Sequence, residues 1–232
     1  MKLDIVTSSG RSQASRIVNE LRRAIVVCDY APGDRLHIAS LAKKYEASPG
    51  AVREALSRLS GEHLVTAIDQ CGFRVSTLSL EDMLDLYTTR AGVEERAVQE
   101  SVKAGGDEWR KALTESHDRL QRFGPNTLID DEVLEAHEAF HRELLSACPS
   151  IWMKRLFEIM YRAGERYRFY ACHYLSENRD PMVEHKAMYD AAMDGDHELA
   201  GLLARRHVEK TRDLLAAALQ ELEPDDRLVE AG

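Results

Sequence analysis

Four histidines in the second half of the chain are spaced so that their rings could meet. His137 and His141 are four residues apart, so on one helix their rings share a face. His185 lies ten residues before Gly195 and His207 twelve after it, so a turn there would bring both to nearly the same height in an antiparallel helix pair. Neutral imidazole binds divalent transition metals well. The sequence therefore predicts a metal site inside a helical bundle, with Zn or Ni as the expected ion.

A second interpretation of part of this pattern is a metallohydrolase. The run HEAFH at 137–141 satisfies the H-E-x-x-H pattern, in which two histidines bind zinc and the glutamate, here Glu138, acts as general base. Such a short motif arises readily by chance in a helix rich in Glu and His. In addition, His185 and His207 would fill coordination positions that a protease keeps open for water and peptide. We therefore expect that the protein is not an enzyme.

Two arginines further along the chain are candidates for binding an anionic ligand. The run YRAGERYRFY at 161–170 places Arg162 and Arg166 four residues apart, with Tyr167 and Tyr170 beside them. On a helix the two guanidinium groups share a face and could neutralise an acid. The alternative is an amphipathic helix whose tyrosines pack at a dimer surface.

The first third of the chain predicts a winged helix-turn-helix. Apolar residues recur at helical spacing over 38–45 and again over 52–59. Between these runs, the Ser48-Pro49 step supplies an N-cap oxygen and a proline at the first helical position, where no N–H is needed. Two strand-like runs, Leu64 to Ile68 and Phe73 to Ser76, follow on either side of a glycine turn and form the expected wing.

The polar face of the second predicted helix carries small and cationic groups. Arg53, Ser57 and Arg58 lie opposite its apolar face, where they could contact the phosphates and base edges of DNA. Ser48 at the helix start and Arg74 in the wing complete the candidate DNA-binding residues. Two such units on a symmetric homodimer would meet the two half-sites of a palindromic operator in double-stranded DNA.

The charge of the chain is divided in a way that suits this interpretation. Residues 1–78 hold 11 Lys and Arg against 8 Asp and Glu, a net charge of +3. Residues 79–232 hold 20 against 32, a net charge of -12, which accounts for the total of -9. A basic unit is attracted to phosphate, and an acidic one is kept away from it.

After residue 79 the strand signals vanish and only helical patterns remain. The predicted helices are roughly 80–103, 107–123, 130–147, 151–172, 181–193 and 196–222. Short breakers between them favour antiparallel neighbours. We therefore expect a mostly α chain, with a winged helix-turn-helix domain over 12–78 and an all-helical antiparallel bundle over 79–222. Residues 1–11 are expected to be disordered and 223–232 to form a frayed acidic tail.

Cysteine usage and hydropathy suggest a cytoplasmic protein without a membrane partner. The cysteines are Cys28, Cys71, Cys148 and Cys172. They are far apart and form no CxxC pair, so we expect reduced thiols. No apolar run approaches the roughly 18 residues of a membrane-spanning helix, and the N-terminus lacks the apolar core of a signal peptide.

Two families resemble successive parts of this chain. The segments PGDRL, LAKKYEAS, AVREALSRL and CGFRV resemble the DNA-binding domain of GntR-type transcription regulators over residues 12–78. Here Pro49 stands where that family often has an arginine, and a usual glutamate is replaced around Ile38. The segments LYTTRAGVEERAV, HEAFHRELLSAC, EHKAMYDAAMDGD and ARRHVEKT resemble the FCD effector domain of the FadR branch of that superfamily.

The second resemblance implies roles for individual residues. In FCD domains a D-x-x-x-H helix and two later histidines supply metal ligands, and His141, His185 and His207 match these positions. His137 stands where the family usually has Asp or Asn. Arg90 matches a pocket arginine that would clamp a carboxylate, although an ion pair with Glu94 on a solvated face is the alternative.

Together the two resemblances imply a ligand-responsive transcription regulator. We expect a repressor that leaves its operator when a small organic acid, such as a dicarboxylate, binds at the metal. A metal-sensing regulator with no organic ligand is the alternative that the residues leave open.

Overall fold

The structure is a computed structural model, and it describes residues 9–69, 72–123, 131–170 and 179–222. The chain divides into two compact units, with the boundary between Ser79 and Leu80. The predicted acidic tail, 223–232, lies outside the described residues. So do residues 1–8 of the segment that we expected to be disordered.

The first unit is a winged helix-turn-helix, as predicted. Its helices are α1 (Ser9–Val26), α2 (Ile38–Lys44) and α3 (Pro49–Gly61). Its strands are β1 (Arg35–Leu36), β2 (Val65–Ile68) and β3 (Gly72–Val75). All pairs are antiparallel and the strand order is β1-β3-β2. Strand β1 was not predicted, because two residues are too few to show a period, and α1 begins three residues before its predicted start.

Helix α3 forms for the predicted reasons. The Ser48 side chain accepts a hydrogen bond from the Ala51 N–H at 3.2 Å, and Pro49 occupies the first turn. The apolar face of the helix is fully buried against α1, α2 and the sheet. It consists of Val52, Ala55, Leu56 and Leu59. The opposite face is therefore free to carry polar residues.

The second unit is an all-helical bundle in the part of the chain that is described. Its helices are α4 (Leu80–Ala104), α5 (Asp107–Gln121), α6 (Asp131–Leu144), α7 (Ile151–Tyr170), α8 (Pro181–Met193) and α9 (His197–Leu222). Gly201 lets α9 pack closely on α4, because a Cβ there would lie 2.9 Å from the Glu95 carbonyl oxygen. None of the described helices combines the length and hydropathy required to cross a membrane.

The turn between α8 and α9 has the geometry that the sequence predicts. Gly195 has a φ of +76°, in the left-handed region that glycine adopts without strain. The Asp196 N–H donates to the Ala191 carbonyl at 3.0 Å and closes the turn. Helix α8 is held at its other end by Asp180, whose side chain accepts from the Met182 N–H. The hairpin therefore brings His185 and His207 to adjoining levels of the bundle.

Candidate metal centre and arginine-lined cavity

Four histidine side chains meet inside the helical unit. His137 and His141 come from α6, His185 from α8 and His207 from α9. One ring nitrogen of each lies within 4.8 Å of those of the other three. All four side chains are buried, and His185 is wholly inaccessible to solvent. The structure thus brings together the four residues that the sequence singles out.

The four rings are held neutral by their surroundings. Burial is the main cause that lowers the pKa of each, and the neighbouring rings and arginines lower the pKa values of His137 and His141 further. The pKa of His207 falls to about 4, because burial outweighs the opposing effect of its hydrogen bond to Glu184. Each neutral ring keeps one nitrogen lone pair, which is the form that binds a metal.

The donor set fits a divalent transition metal. The Nε2 atoms of His141 and His185 lie 3.3 Å apart, close to the separation of two nitrogens that share one ion at about 2.0–2.1 Å each. Nδ1 of His185 is buried and has no hydrogen-bond partner among the described residues. A set of donors that consists of neutral imidazoles alone is typical of Zn, Ni and Cu sites.

Polar groups lie on the outer side of three of the rings. Nδ1 of His207 lies 2.8 Å from Oε2 of Glu184, and Nδ1 of His141 lies 3.9 Å from Oε2 of Glu94. Nε2 of His207, whose Nδ1 is engaged, is therefore the nitrogen left for a metal, and Nε2 of His141 is the nitrogen that lies next to His185 in the cluster. His137 differs, because its Nδ1 contacts the Tyr161 hydroxyl at 2.6 Å and the Arg168 guanidinium at 3.1 Å, and no carboxylate in the part of the chain that the structure describes.

A cavity that is partly open to solvent lies beside this cluster. Its lining consists of Tyr87, Arg90, His137, Glu165, Arg168, Arg179, Pro181, His207, Val208 and Thr211. Two of the four histidines, His137 and His207, therefore face the cavity. His141 and His185 are not part of its wall.

Each of the three arginines in the wall is paired with a carboxylate. Arg90 binds Glu94 within α4, and both side chains are almost completely buried. Arg168 donates from Nη2 to Oε2 of Glu165 at 2.7 Å. The third arginine, Arg179, binds Glu184 through two nitrogens, with Nε 2.9 Å from Oε1. The ion pair with Glu94 that was the alternative for Arg90 is thus present. It is buried rather than solvated, and Arg90 also lines the cavity.

The other predicted effector arginines do not line the cavity. Arg162 binds Glu158 on the preceding turn, and Arg166 is buried but lies outside the wall described here. Sequence reasoning missed Arg168 and Arg179, which do line it. Arg168 had a signal, since it belongs to the Arg- and Tyr-rich run of α7. Arg179 had none, because it stands in a breaker between helices.

The hydrolase interpretation does not fit the position of Glu138. This carboxylate binds Arg142, which also binds Glu158, in a half-exposed network on the outer face of α6. A general base must reach a water on the metal, and this glutamate is committed elsewhere. The H-E-x-x-H match is therefore a coincidence of helix composition.

The candidate DNA-binding residues lie on exposed surface of the first unit. Arg53 and Ser57 are exposed on α3. Arg58 donates to the Ser15 hydroxyl at 3.1 Å, and Arg74 donates to the Gly33 carbonyl at 2.8 Å. The hydroxyl of Ser48 serves as the cap of α3. The structure thus places Arg53 and Ser57 on the exposed face of α3, opposite its buried apolar residues.

Comparison with protein families assigns both units. Residues 13–75 match the model described as "Bacterial regulatory proteins, gntR family", and residues 85–210, more than half of the chain, match the FCD domain. The chain belongs to the GntR family and carries an FCD domain.

Relatives and solved structures agree with this membership of the GntR family. The chain is 38% identical over 206 residues to the HTH-type transcriptional regulator BphR of Paraburkholderia xenovorans, covering 87% of this chain and 84% of that protein. It is 29% identical to the HTH-type transcriptional repressor GlaR of Escherichia coli, covering 81% and 89%. A putative GntR regulator from Rhodococcus has a TM-score of 0.70 at 25% identity, covering 92% and 99%. McbR/YncC of E. coli has a TM-score of 0.74 at 19% identity, covering 91% and 99%.

Membership establishes the general activity of this GntR protein. It is a DNA-binding transcription regulator with an effector domain, and it is not an enzyme. Regulators of this family bind operator DNA and typically dimerise. The FCD match spans all four clustered histidines and most of the cavity wall.

Proposed function

We propose that this protein is a repressor that a small organic acid releases from its operator, and that the acid binds at a metal in the FCD domain. The observation that carries the proposal is that histidines and arginines line the same cavity. Two neutral histidines of the buried cluster, His137 and His207, line the same cavity as three arginines. Metal-ligating and carboxylate-binding side chains in one cavity favour a ligand that uses both.

The four histidines are the residues that would hold the metal. Because His141 and His185 lie behind the wall, an ion bound by the cluster would be approached from the side of His137 and His207. A bound divalent ion supplies a Lewis-acidic positive charge for a carboxylate oxygen. Zn and Ni are the expected ions, since the donors are neutral imidazoles.

The charges around the cavity favour a dicarboxylate over a monocarboxylate. The three arginines of the wall are offset by their three partners, Glu94, Glu165 and Glu184. The pairs together add no net charge, so a divalent ion would leave the cavity with a charge of about +2. A dianionic acid neutralises this charge, and an arginine fork can bind one of its carboxylates bidentately.

In the first unit, Arg53, Ser57, Arg58 and Arg74 are the residues proposed to contact DNA. Arg53 and Ser57 would reach base edges or phosphates from α3, and Arg74 would reach the backbone or minor groove from the wing. A homodimer would place two such units on a palindromic operator. Release by the acid means that the acid-bound protein has the lower affinity for DNA.

One observation favours a second candidate, a metal-sensing regulator with no organic ligand. Every arginine in the cavity wall already has a carboxylate partner, so an acid must compete for it. In that case metal binding alone would change the affinity for the operator. The histidines would have the same role, but the arginines would only support the fold.

A thermal-shift experiment with a panel of organic acids, with and without a chelator, separates the candidates. The proposed function predicts that at least one dicarboxylate raises the melting temperature of metal-loaded protein and has no effect after chelation. Stabilisation by Zn²⁺ or Ni²⁺ with no response to any acid would favour the metal sensor. No response to either ion would contradict both.

A further inference from the structure

Nδ1 of His207 faces two groups that make opposite demands on it. Oε2 of Glu184 lies 2.8 Å away and can only accept a hydrogen bond, because this carboxylate is held by the cationic groups of Arg179 and Lys210. Nη2 of Arg179 lies 3.1 Å away and can only donate. A neutral imidazole has a single N–H, so Nδ1 can satisfy one of these neighbours but not both. Whether Nδ1 bonds to Glu184 or to Arg179 decides which ring nitrogen keeps the lone pair.

The two outcomes differ in whether the ring can bind a metal. If Nδ1 donates to Glu184, the proton is on Nδ1 and Nε2 has a free lone pair inside the cluster. If Nδ1 instead accepts from Arg179, the proton moves to Nε2. That nitrogen then points an N–H at the position where the ion must lie.

The surroundings of Glu184 favour the first outcome. Arg179 donates to both oxygens of this carboxylate, with its Nε 2.9 Å from Oε1. Lys210 donates to Oε1 at 2.8 Å. Arg179 is anchored elsewhere as well, donating to the Thr211 hydroxyl at 2.6 Å and to the His207 carbonyl at 3.0 Å. Nη2 of Arg179, the donor that competes with Glu184 for Nδ1, is therefore held beside the His207 ring.

The other rings of the cluster lack this arrangement. The carboxylate beside His141, Glu94, is 3.9 Å from Nδ1, beyond hydrogen-bond distance. Among the described residues, His137 has the Tyr161 hydroxyl and the Arg168 guanidinium within hydrogen-bond distance and no carboxylate. His207 is thus the ring whose proton is placed most firmly.

We propose that Glu184 is the positioning residue that makes His207 a metal ligand, and that Arg179 is its competitor for the same ring nitrogen. The inference rests on the proposed metal site. It goes beyond that proposal in assigning opposite effects to the two members of one ion pair.

The test compares Glu184→Met, Arg179→Met and the double variant in the full-length protein, with Zn²⁺ affinity measured by competition with a chromophoric chelator. Methionine has a similar length and no strong hydrogen-bonding group. Glu184→Met is expected to weaken Zn²⁺ binding about 10–100-fold, the usual cost of removing such a partner. Arg179→Met is expected to bind Zn²⁺ at least as tightly as the parent. The double variant should recover most of the loss.

A purely structural role of the Arg179–Glu184 pair predicts another pattern. Both single variants would then weaken Zn²⁺ binding, and the double variant would not recover it. That result would overturn the inference.

The position of the proton gives a readout that needs no metal. In ¹⁵N-histidine-labelled apoprotein, nuclear magnetic resonance should show the His207 proton on Nδ1 in the parent and on Nε2 in Glu184→Met. Glu165→Met is the matched control, since Glu165 also pairs with a cavity arginine but contacts no histidine among the described residues, and it should leave the His207 proton on Nδ1. A parent with the proton on Nε2 would overturn this inference alone. Failure of the parent to bind any metal would instead overturn the proposed function.

Discussion

The two units carry their functional cations in opposite environments. Arg53 on α3 is exposed and has no hydrogen bond or ion pair among the described residues. Arg90 in the FCD domain is 5% exposed and is bound to a buried glutamate. DNA is a large external ligand, so the side chains that contact it can lie on an exposed face that does not pack in the core. A small acid must be enclosed, so its contacts are also part of the core.

This difference predicts how separable function and stability are in each unit. An exposed side chain can be removed with little effect on the free energy of unfolding. A buried ion pair loses one partner only at the cost of an unpaired charge in the interior. Substitutions should therefore affect DNA binding alone in the first unit, but both ligand binding and stability in the second.

The largest effect on stability is expected from Arg90→Met. The substitution leaves Glu94 buried and without its partner, so the free energy of unfolding should fall by about 3–5 kcal/mol. Chemical denaturation of the apoprotein measures this. Arg90→Met combined with Glu94→Leu should recover most of the loss, since an apolar pair of similar size carries no unpaired charge. If Arg90→Met were as stable as the parent, ligand-binding residues of the second unit would not be needed for stability, and the difference between the two units would not hold.

Metal binding is expected to depend strongly on His185 and weakly on the identity of residue 137. His185→Ala removes a fully buried donor, so Zn²⁺ affinity should fall by more than the roughly 100-fold upper limit for outer-shell changes. His137→Asp is the matched control, because Asp is the usual FCD residue there and is itself a ligand. Elemental analysis of freshly purified variants measures occupancy. Full occupancy in His185→Ala would exclude the site.

A smaller effect, and one confined to DNA, is expected from Arg53→Ala. If this guanidinium contacts a base, operator binding should weaken by about 1–3 kcal/mol, with the melting temperature unchanged. Fluorescence anisotropy at fixed salt measures the affinity. Arg96→Ala, which removes an exposed arginine of the second unit, serves as the control and should bind as the parent does. Equal affinity of Arg53→Ala and the parent would show that α3 is wrongly assigned.

The smallest effect concerns a buried histidine outside the metal cluster. His117 stacks on Tyr189 with ring centroids 4.1 Å apart, and neither ring nitrogen has a hydrogen-bond partner among the described residues. Burial lowers its pKa, although the nearby acids Asp118 and Asp190 oppose the shift. The contribution of the neutral ring to stability is therefore complete above about pH 6.5 and is lost as the pH falls.

His117→Phe should accordingly lose less stability than the parent between pH 7 and pH 5. The gap should be below the roughly 1 kcal/mol that is typical of a single substitution. Thermal melts of the two apoproteins across this range measure it. A variant that loses more stability than the parent in acid would show that the ring is charged in the fold.

The parts of the fold that were predictable from sequence depend on local spacing. The helix-turn-helix follows from apolar periodicity and from the cap at Ser48, and both act within a few residues. The meeting of His185 and His207 follows from a single glycine turn. In contrast, β1 contains only two residues and its partner strand is distant in sequence, so no local pattern marks it.

The cavity wall was harder to predict because it depends on packing between distant helices. Arg162 and Arg166 share a helix face, but that spacing does not say which helix face meets the cavity. Arg168 turns into it instead. Arg179 reaches the cavity from a segment with no periodicity. Helical spacing identifies which residues are neighbours on one helix, whereas tertiary contacts determine which arginine faces the cavity.

The most direct test of the account is a titration of the operator complex with the dicarboxylate that best stabilises the protein against heat. Fluorescence anisotropy would follow it at fixed salt, with Zn²⁺-loaded and with chelated protein. We predict that the acid weakens operator binding by about 5–150-fold in the Zn²⁺-loaded protein, the usual range of coupling between two sites, and has no effect after chelation. Tight binding of the acid with an unchanged operator affinity would contradict it.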